Sequence, residues 1–190
     1  ADLETVLILS EDKKERGQIS GLLSFLHGEV TFANCGSEAR RIAGARTFDY
    51  IFVCCPLPDE SAQKLAIALA QESGASIILV VDGKDAEEVA KQVQAEGIFV
   101  VPRPIDTLFF QQAVRIIALT RSKLAGLSSE NSKLQTKIEE IRMVNRAKCV
   151  LIQYLNMTEQ QAHRYIEKQA MNMRSSKMDV AQGILKTYEY

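Results

Sequence analysis

A chain of 190 residues, 46% hydrophobic and 25% charged, has room for one domain of ordinary size and a smaller one, and too much apolar material for wholesale disorder. Its net charge of −1 excludes a whole-protein electrostatic drive onto nucleic acid or membrane. No run reaches the roughly 18 consecutive apolar residues of a membrane span, and the N-terminus lacks a basic flank with an apolar core, so a cytoplasmic protein is expected.

The first 106 residues alternate short apolar runs with longer amphipathic segments. VLIL (Val6 to Leu9) is a candidate first strand, followed by a helix from about Lys13 to Leu26. EVTFAN suits a second strand, and SEARRIAG begins a helix with Ser37 as its expected cap. YIFVC is a third strand, SAQKLAIALAQE a helix, SIILVV a fourth strand, DAEEVAKQVQAE a helix and IFVV a fifth strand ending at Pro102 to Pro104. The third and fourth strands read as unbroken apolar runs, as strands buried on both faces should. The expectation is an α/β fold, a doubly wound five-stranded parallel sheet over residues 1–120, with its working edge at the C-terminal strand ends: Ser10, Glu11, Cys54, Val81 and Arg103.

From Asp106 the pattern changes, with no further proline and only Gly126 and Gly183 to interrupt. Asp106 caps a helix whose apolar positions settle to heptad spacing. Phe110, Ile117, Leu124, Asn131, Ile138 and Asn145 take position a, and Ala113, Thr120, Leu127, Leu134 and Ile141 take position d. Such a seam predicts a coiled-coil linker over 121–145 and a homodimer, with Leu124, Leu127, Asn131, Leu134, Ile138 and Ile141 as its contacts. Buried Asn at a favours a two-stranded pair; the alternative is one long amphipathic helix packed on its own domain. Beyond it, Thr158 and Gln161 form a capping box opening a helix to about Met173, and Ser176 with Asp179 opens another. Ala162, Tyr165, Ile166, Gln169 and Ala170 would give the first its buried stripe, and Val180, Ala181, Ile184 and Leu185 the second. A three-helix unit over 146–190, its first helix continuing from about residue 135, closes the chain.

Chemistry-bearing clusters are few. Cys35, Cys54, Cys55 and Cys149 lack zinc spacing, and adjacent Cys54 and Cys55 point to opposite faces of a strand, so reduced thiols are expected, with no metal and no cofactor. No nucleophile–base pair suggests an enzyme, with only His27 and His163 available. Charge is unevenly distributed. Residues 146–190 hold seven Lys/Arg against four acids, net +3, which leaves −4 for residues 1–145. That is a modest footprint for phosphate binding.

The five-fold strand–helix repeat resembles the receiver domain of bacterial two-component response regulators. In that family an acidic pair follows strand one, a phospho-accepting Asp ends strand three, a hydroxyl ends strand four and Lys-Pro follows strand five. Those positions fall on Ser10 and Glu11, on Cys54, on Val81, and on Arg103 with Pro104. Phosphoryl transfer to a carboxylate needs an oxygen nucleophile and carboxylates to hold Mg²⁺. The resemblance therefore implies a pseudo-receiver that is not phosphorylated at Asp. A redox switch at Cys54, its pKa lowered by Arg103, and an atypical phospho-acceptor are alternatives.

The segment NRAKCVLIQYLNMTEQQAHRYIEKQAMNMRSSKMDVAQGIL resembles the ANTAR domain, the RNA-binding output of bacterial transcription antiterminators. Ala147, Lys148, Val150, Leu151, Ile152, Ala162, Ala170, Met171, Val180 and Ala181 carry the match, and His163 departs from the usual aromatic. The resemblance implies binding of stem-loops in mRNA leaders, with Lys148, Arg164, Lys168, Arg174 and Lys177 as contacts and Ser175 as polar helper. Tyr154 or Tyr188 would stack on a base or, equally, belong to the core. A protein that binds the pseudo-receiver would supply control. A protein-interaction adaptor is the alternative of a different class.

Overall fold

The computed structural model describes residues 3–188, which divide into two compact units, up to Arg121 and from Ser122. In the first unit five parallel strands, β1 (Thr5–Leu9), β2 (Glu29–Ala33), β3 (Tyr50–Cys54), β4 (Ser76–Asp82) and β5 (Phe99–Arg103), lie in the order β2-β1-β3-β4-β5. The central strands are the ones with the longest apolar runs: every residue of β3 is buried, as are Ile77 to Val81 of β4. Alternate residues feed two core layers. Leu7, Leu9, Ile51, Val53 and Leu79 face α2 (Gly36–Ala45), α3 (Ala62–Glu72) and α4 (Ala86–Val93), whereas Val6, Ile8, Phe52 and Ile78 face α1 (Lys13–Leu22) and the start of α5 (Thr107–Leu155). Each fully buried Leu or Ile contributes about 1.5–3 kcal/mol relative to exposure.

Two local details differ from the expectation. The first helix stops at Leu22 and gives way to a short 3-10 turn over Ser24–Leu26, ended by His27 in the left-handed region (φ 50°). Gly28 must follow, because a side chain there would press on the Glu4 carbonyl that accepts the Glu29 N–H at 2.8 Å. Helix α2 is not capped by Ser37. Its N-cap is Cys35, and the orphan N–H groups of Gly36 and Ser37 donate to the Asp59 carboxylate at 2.8 and 2.9 Å. A carboxylate from another loop does the work of a local cap and suits the positive helix end.

Helix α5 runs unbroken from Thr107 to Leu155. Asp106 caps it as expected, accepting from the Phe109 N–H at 2.7 Å. Its opening turns belong to the first core: Phe110, Ala113 and Val114 are buried, Ile117 packs beside them, and the Phe110 and Phe52 rings lie 5.7 Å apart. The heptad seam read from Phe110 onward therefore begins later. Phe110 and Ile117 pack on the sheet of their own domain because the helix crosses it there, and Ala113 is buried in the same turns. Arg121 marks the last anchored turn, donating to the Gly74 carbonyl at 2.8 Å and to Asp49 Oδ1 at 3.0 Å. Beyond it Leu124, Leu127, Leu134, Ile138 and Ile141 are each at least half exposed, and Asn131 is exposed among them.

The second unit gathers the end of α5 with α6 (Glu159–Met173) and α7 (Lys177–Tyr188) around Ala147, Val150, Leu151, Ala162, Ile166 and Ala170. Val180, Ala181, Ile184 and Leu185 complete that core from α7. The capping box at Thr158 and Gln161 is present in both directions. Tyr165, expected in the buried stripe, is exposed; small Ala162 and Ala170 with Ile166 already fill the face. No helix among the described residues is long and apolar enough to cross a membrane.

Candidate functional site

Two sites follow from the sequence, one in each unit. At the C-terminal edge of the sheet an open cleft of about 570 Å³ is lined by Ser10, Glu11, Glu15, Cys55, Asp82 and Arg103, among others. The strand-end positions thus converge where the fold places them, but not all reach the cleft. Cys54 is 1% exposed and Val81 2% exposed, both within the core. Burial first, and then the charge of Glu15, push the Cys54 thiol far above the ordinary cysteine range; the nearby Arg103 only partly offsets this. Cys55, which does line the cleft, is pushed up to about 11, chiefly by burial. The expectation of a thiol activated by Arg103 is overturned, since desolvation outweighs the cation.

Arg103 is already occupied. Its Nε donates to Glu15 Oε1 at 2.6 Å and its Nη1 meets Asp82 Oδ1 at 3.4 Å, while Ser10 Oγ donates to Glu15 Oε2 at 2.9 Å. Glu15 and Asp82 were not anticipated. Glu15 is five residues beyond Ser10, in the first turn of α1, and Asp82 is one residue past the expected end of the fourth strand, the last residue of β4 before the turn at Gly83. Reading SIILVVDG through to its turn signal would have found the second. The cleft does not suit the Mg²⁺ that receivers hold. One carboxylate of the acidic pair is a serine, the acceptor is a buried thiol, and Glu15 is committed to Arg103. Among the described residues no group of three or more His, Cys, Asp or Glu side chains is placed to bind a metal.

In the second unit the candidate RNA contacts separate into kinds. Arg164 and Lys168 lie one turn apart on α6, both exposed, and exposed Arg174 closes that helix in the left-handed region (φ 49°). Lys148 is different. Its side chain is 13% exposed and its ammonium pairs with Glu159 at 3.1 Å, tying the end of α5 to the start of α6. Lys177 pairs with Glu167 at 2.6 Å. Ser175, Lys177, Glu167, Ala170 and Met171 line one open pocket of about 490 Å³ between the end of α6 and the start of α7. Charge counting includes Glu159 and Glu167 among the four acids but does not show that they neutralise these two lysines. Tyr154 and Tyr188 stack on each other, ring centroids 5.6 Å apart, rather than presenting a free face together.

Residues 132–185 match the ANTAR domain family. The chain is 26% identical over 157 residues to the transcriptional regulatory protein PdtaR of Mycobacterium tuberculosis, covering 82% of this chain and 76% of that protein. It is 24% identical over 130 residues to the aliphatic amidase regulator of Pseudomonas aeruginosa, covering 67% of this chain and 63% of that one. The first unit is similar to the signal receiver domain of an HD domain-containing protein from Pseudomonas fluorescens, with a TM-score of 0.59, 19% identity, and coverage of 66% of this chain and 94% of that one. The chain thus combines a unit of receiver fold with a segment that matches the ANTAR domain family.

Proposed function

We propose that this chain is a cytoplasmic transcription antitermination regulator that binds RNA stem-loops in nascent mRNA through its ANTAR domain. The observation that carries the reading is the coincidence of the ANTAR match with a compact three-helix unit bearing exposed Arg164, Lys168 and Arg174. Phosphate contacts from such side chains fix position, while loop bases supply specificity. Lys148 acts chiefly through packing, by holding α6 against α5.

The receiver-like domain operates without Asp phosphorylation, because its acceptor position is a buried thiol and its cation is held by Glu15 and Asp82. Control comes instead from a protein that binds this domain; exposed Leu108, Phe109, Ile116 and Leu119 on α5 supply apolar surface for it. The chain works as a homodimer through the stripe from Leu124 to Ile141.

The test is to sequence RNA that copurifies with the protein and titrate the recovered stem-loop in gel shifts. Binding that weakens steeply with salt is expected, and Arg164→Ala with Lys168→Ala should weaken it at least tenfold. Salt-independent retention of a protein instead of RNA would favour an interaction adaptor and sink the assignment.

A further inference from the structure

The pocket between α6 and α7 holds a carboxylate and an ammonium side by side over an apolar wall. Glu167 Oε1 accepts from Lys177 Nζ at 2.6 Å and faces His163 Nε2 at 3.2 Å, so both contacts fall on one oxygen and Oε2 remains. Ala170 forms part of the wall, and Met171, 80% exposed, stands at the rim. Ser175 contributes a buried hydroxyl with no hydrogen-bond partner among the described residues. The backbone around it is satisfied: the Ser175 N–H donates to the Ala170 carbonyl at 3.1 Å and the Arg174 N–H to that of Met171 at 3.3 Å. The unmet polar group is thus a side chain beside the pocket.

A phosphate is a poor occupant. Lys177 is already neutralised by Glu167, and the carboxyl is held below its usual range by the hydrogen bond and charge of Lys177, so it stays ionised and repels an anion. A neutral group with a donor beside an acceptor fits better. Resting on the RNA reading above, we infer that this pocket receives one unstacked keto base of the loop, guanine or uracil. Glu167 accepts from the imide N–H, and Lys177 turns one of its three N–H donors to the adjacent carbonyl oxygen. Held in that same orientation, adenine and cytosine present a ring nitrogen lone pair where those bases carry the N–H, and the carboxylate repels it. The thioether of Met171 supplies a polarisable surface against the ring face.

The experiment uses the full chain and a synthetic pool of RNA hairpins with one constant stem and randomised loops. Bound hairpins are sequenced for the native protein and for Glu167→Gln, whose folding is checked by its thermal transition. The native protein should enrich G or U at one loop position. Glu167→Gln should level that preference, the enriched hairpin losing about tenfold relative to the others; the slope of log affinity against log salt should not fall, since no phosphate contact is lost and Lys177 is freed of its carboxylate. Lys177→Gln serves as second variant and should shift the same position only. An identical loop profile in both variants and the native protein, or enrichment of A or C there, would overturn the pocket's role while leaving RNA binding intact. Failure to retain any hairpin would overturn the RNA reading and this inference together.

Discussion

Arg103 and Glu15 meet at 2.6 Å across 88 positions of sequence, at the edge of the sheet where a receiver keeps its phosphorylation chemistry. The pair is largely shielded, with side chains 25% and 13% exposed, and Asp82 takes the other side of the guanidinium at 3.4 Å. A cation so held is a structural tie between β5 and α1, not a free partner for a phosphoryl group. Removing one member leaves the other charge partly buried without compensation, which is costlier than losing the pair's attraction alone.

Arg103→Ala should therefore destabilise the N-terminal domain by about 2 kcal/mol, a fall of several degrees in its thermal midpoint. Glu15→Gln should cost a similar amount, and the double variant less than the sum. Calorimetry of the four proteins decides the matter. Additive losses would show that the two side chains do not act on each other.

The thiols give a pH dependence with a definite sign. Cys54 and Cys55 bind their protons more tightly when folded than when unfolded, because burial penalises the thiolate. Their contribution is fully present below the unfolded thiol value of about 8.5. It is lost as pH climbs toward the folded value, about 11 for Cys55 and higher for Cys54. Unfolding titrations between neutral and alkaline pH should show stability falling above about pH 9, with Cys54→Val flattening part of the decline. In the native protein at neutral pH an alkylating reagent should label exposed Cys149 and spare Cys54. Rapid labelling of Cys54 would revive a redox role.

The sheet was legible because its strands are unbroken apolar runs, and their burial needs nothing but hydrophobicity; β3 and β4 fall where the runs do. Local caps were equally readable at Asp106 and Thr158, where donor and acceptor sit within three residues. What stayed hidden are partnerships between distant side chains. Asp59 caps α2 from 22 and 23 residues away, and Glu159 and Glu167 reach Lys148 and Lys177 only after α6 and α7 have packed. Periodicity also overextended the seam, since Phe110 and Leu124 share a heptad position while one covers a sheet and the other does not.

That exposed stripe makes oligomeric state testable. Leu124, Leu127, Leu134, Ile138 and Ile141 lie along one face of α5 and are 50% to 63% exposed in the single chain. Burying each against a second helix would contribute about 1.5–3 kcal/mol. Leu127→Lys with Leu134→Lys should raise the dimer dissociation constant at least a hundredfold in sedimentation equilibrium. Asn131→Val should tighten association and loosen the choice of two strands over three. A native protein that sediments as a monomer at tens of micromolar would end the dimer proposal.

Salt titration separates the basic side chains of the ANTAR unit by what they touch. Arg164 and Lys168 are exposed and adjacent on α6, so replacing either by Ala should lower the slope of log affinity against log salt by about 0.7 to 0.9 if it contacts a phosphate. Lys148 is 13% exposed and paired to Glu159. Lys148→Ala should leave that slope alone and instead lower the thermal midpoint of the C-terminal unit by a few degrees, because the Lys148 stem is shielded even though Glu159 is 69% exposed. Lys148→Met, which keeps the apolar stem, should recover part of the midpoint. A slope reduced by Lys148→Ala with an unchanged midpoint would return Lys148 to the RNA surface and assign its Glu159 contact to the free state.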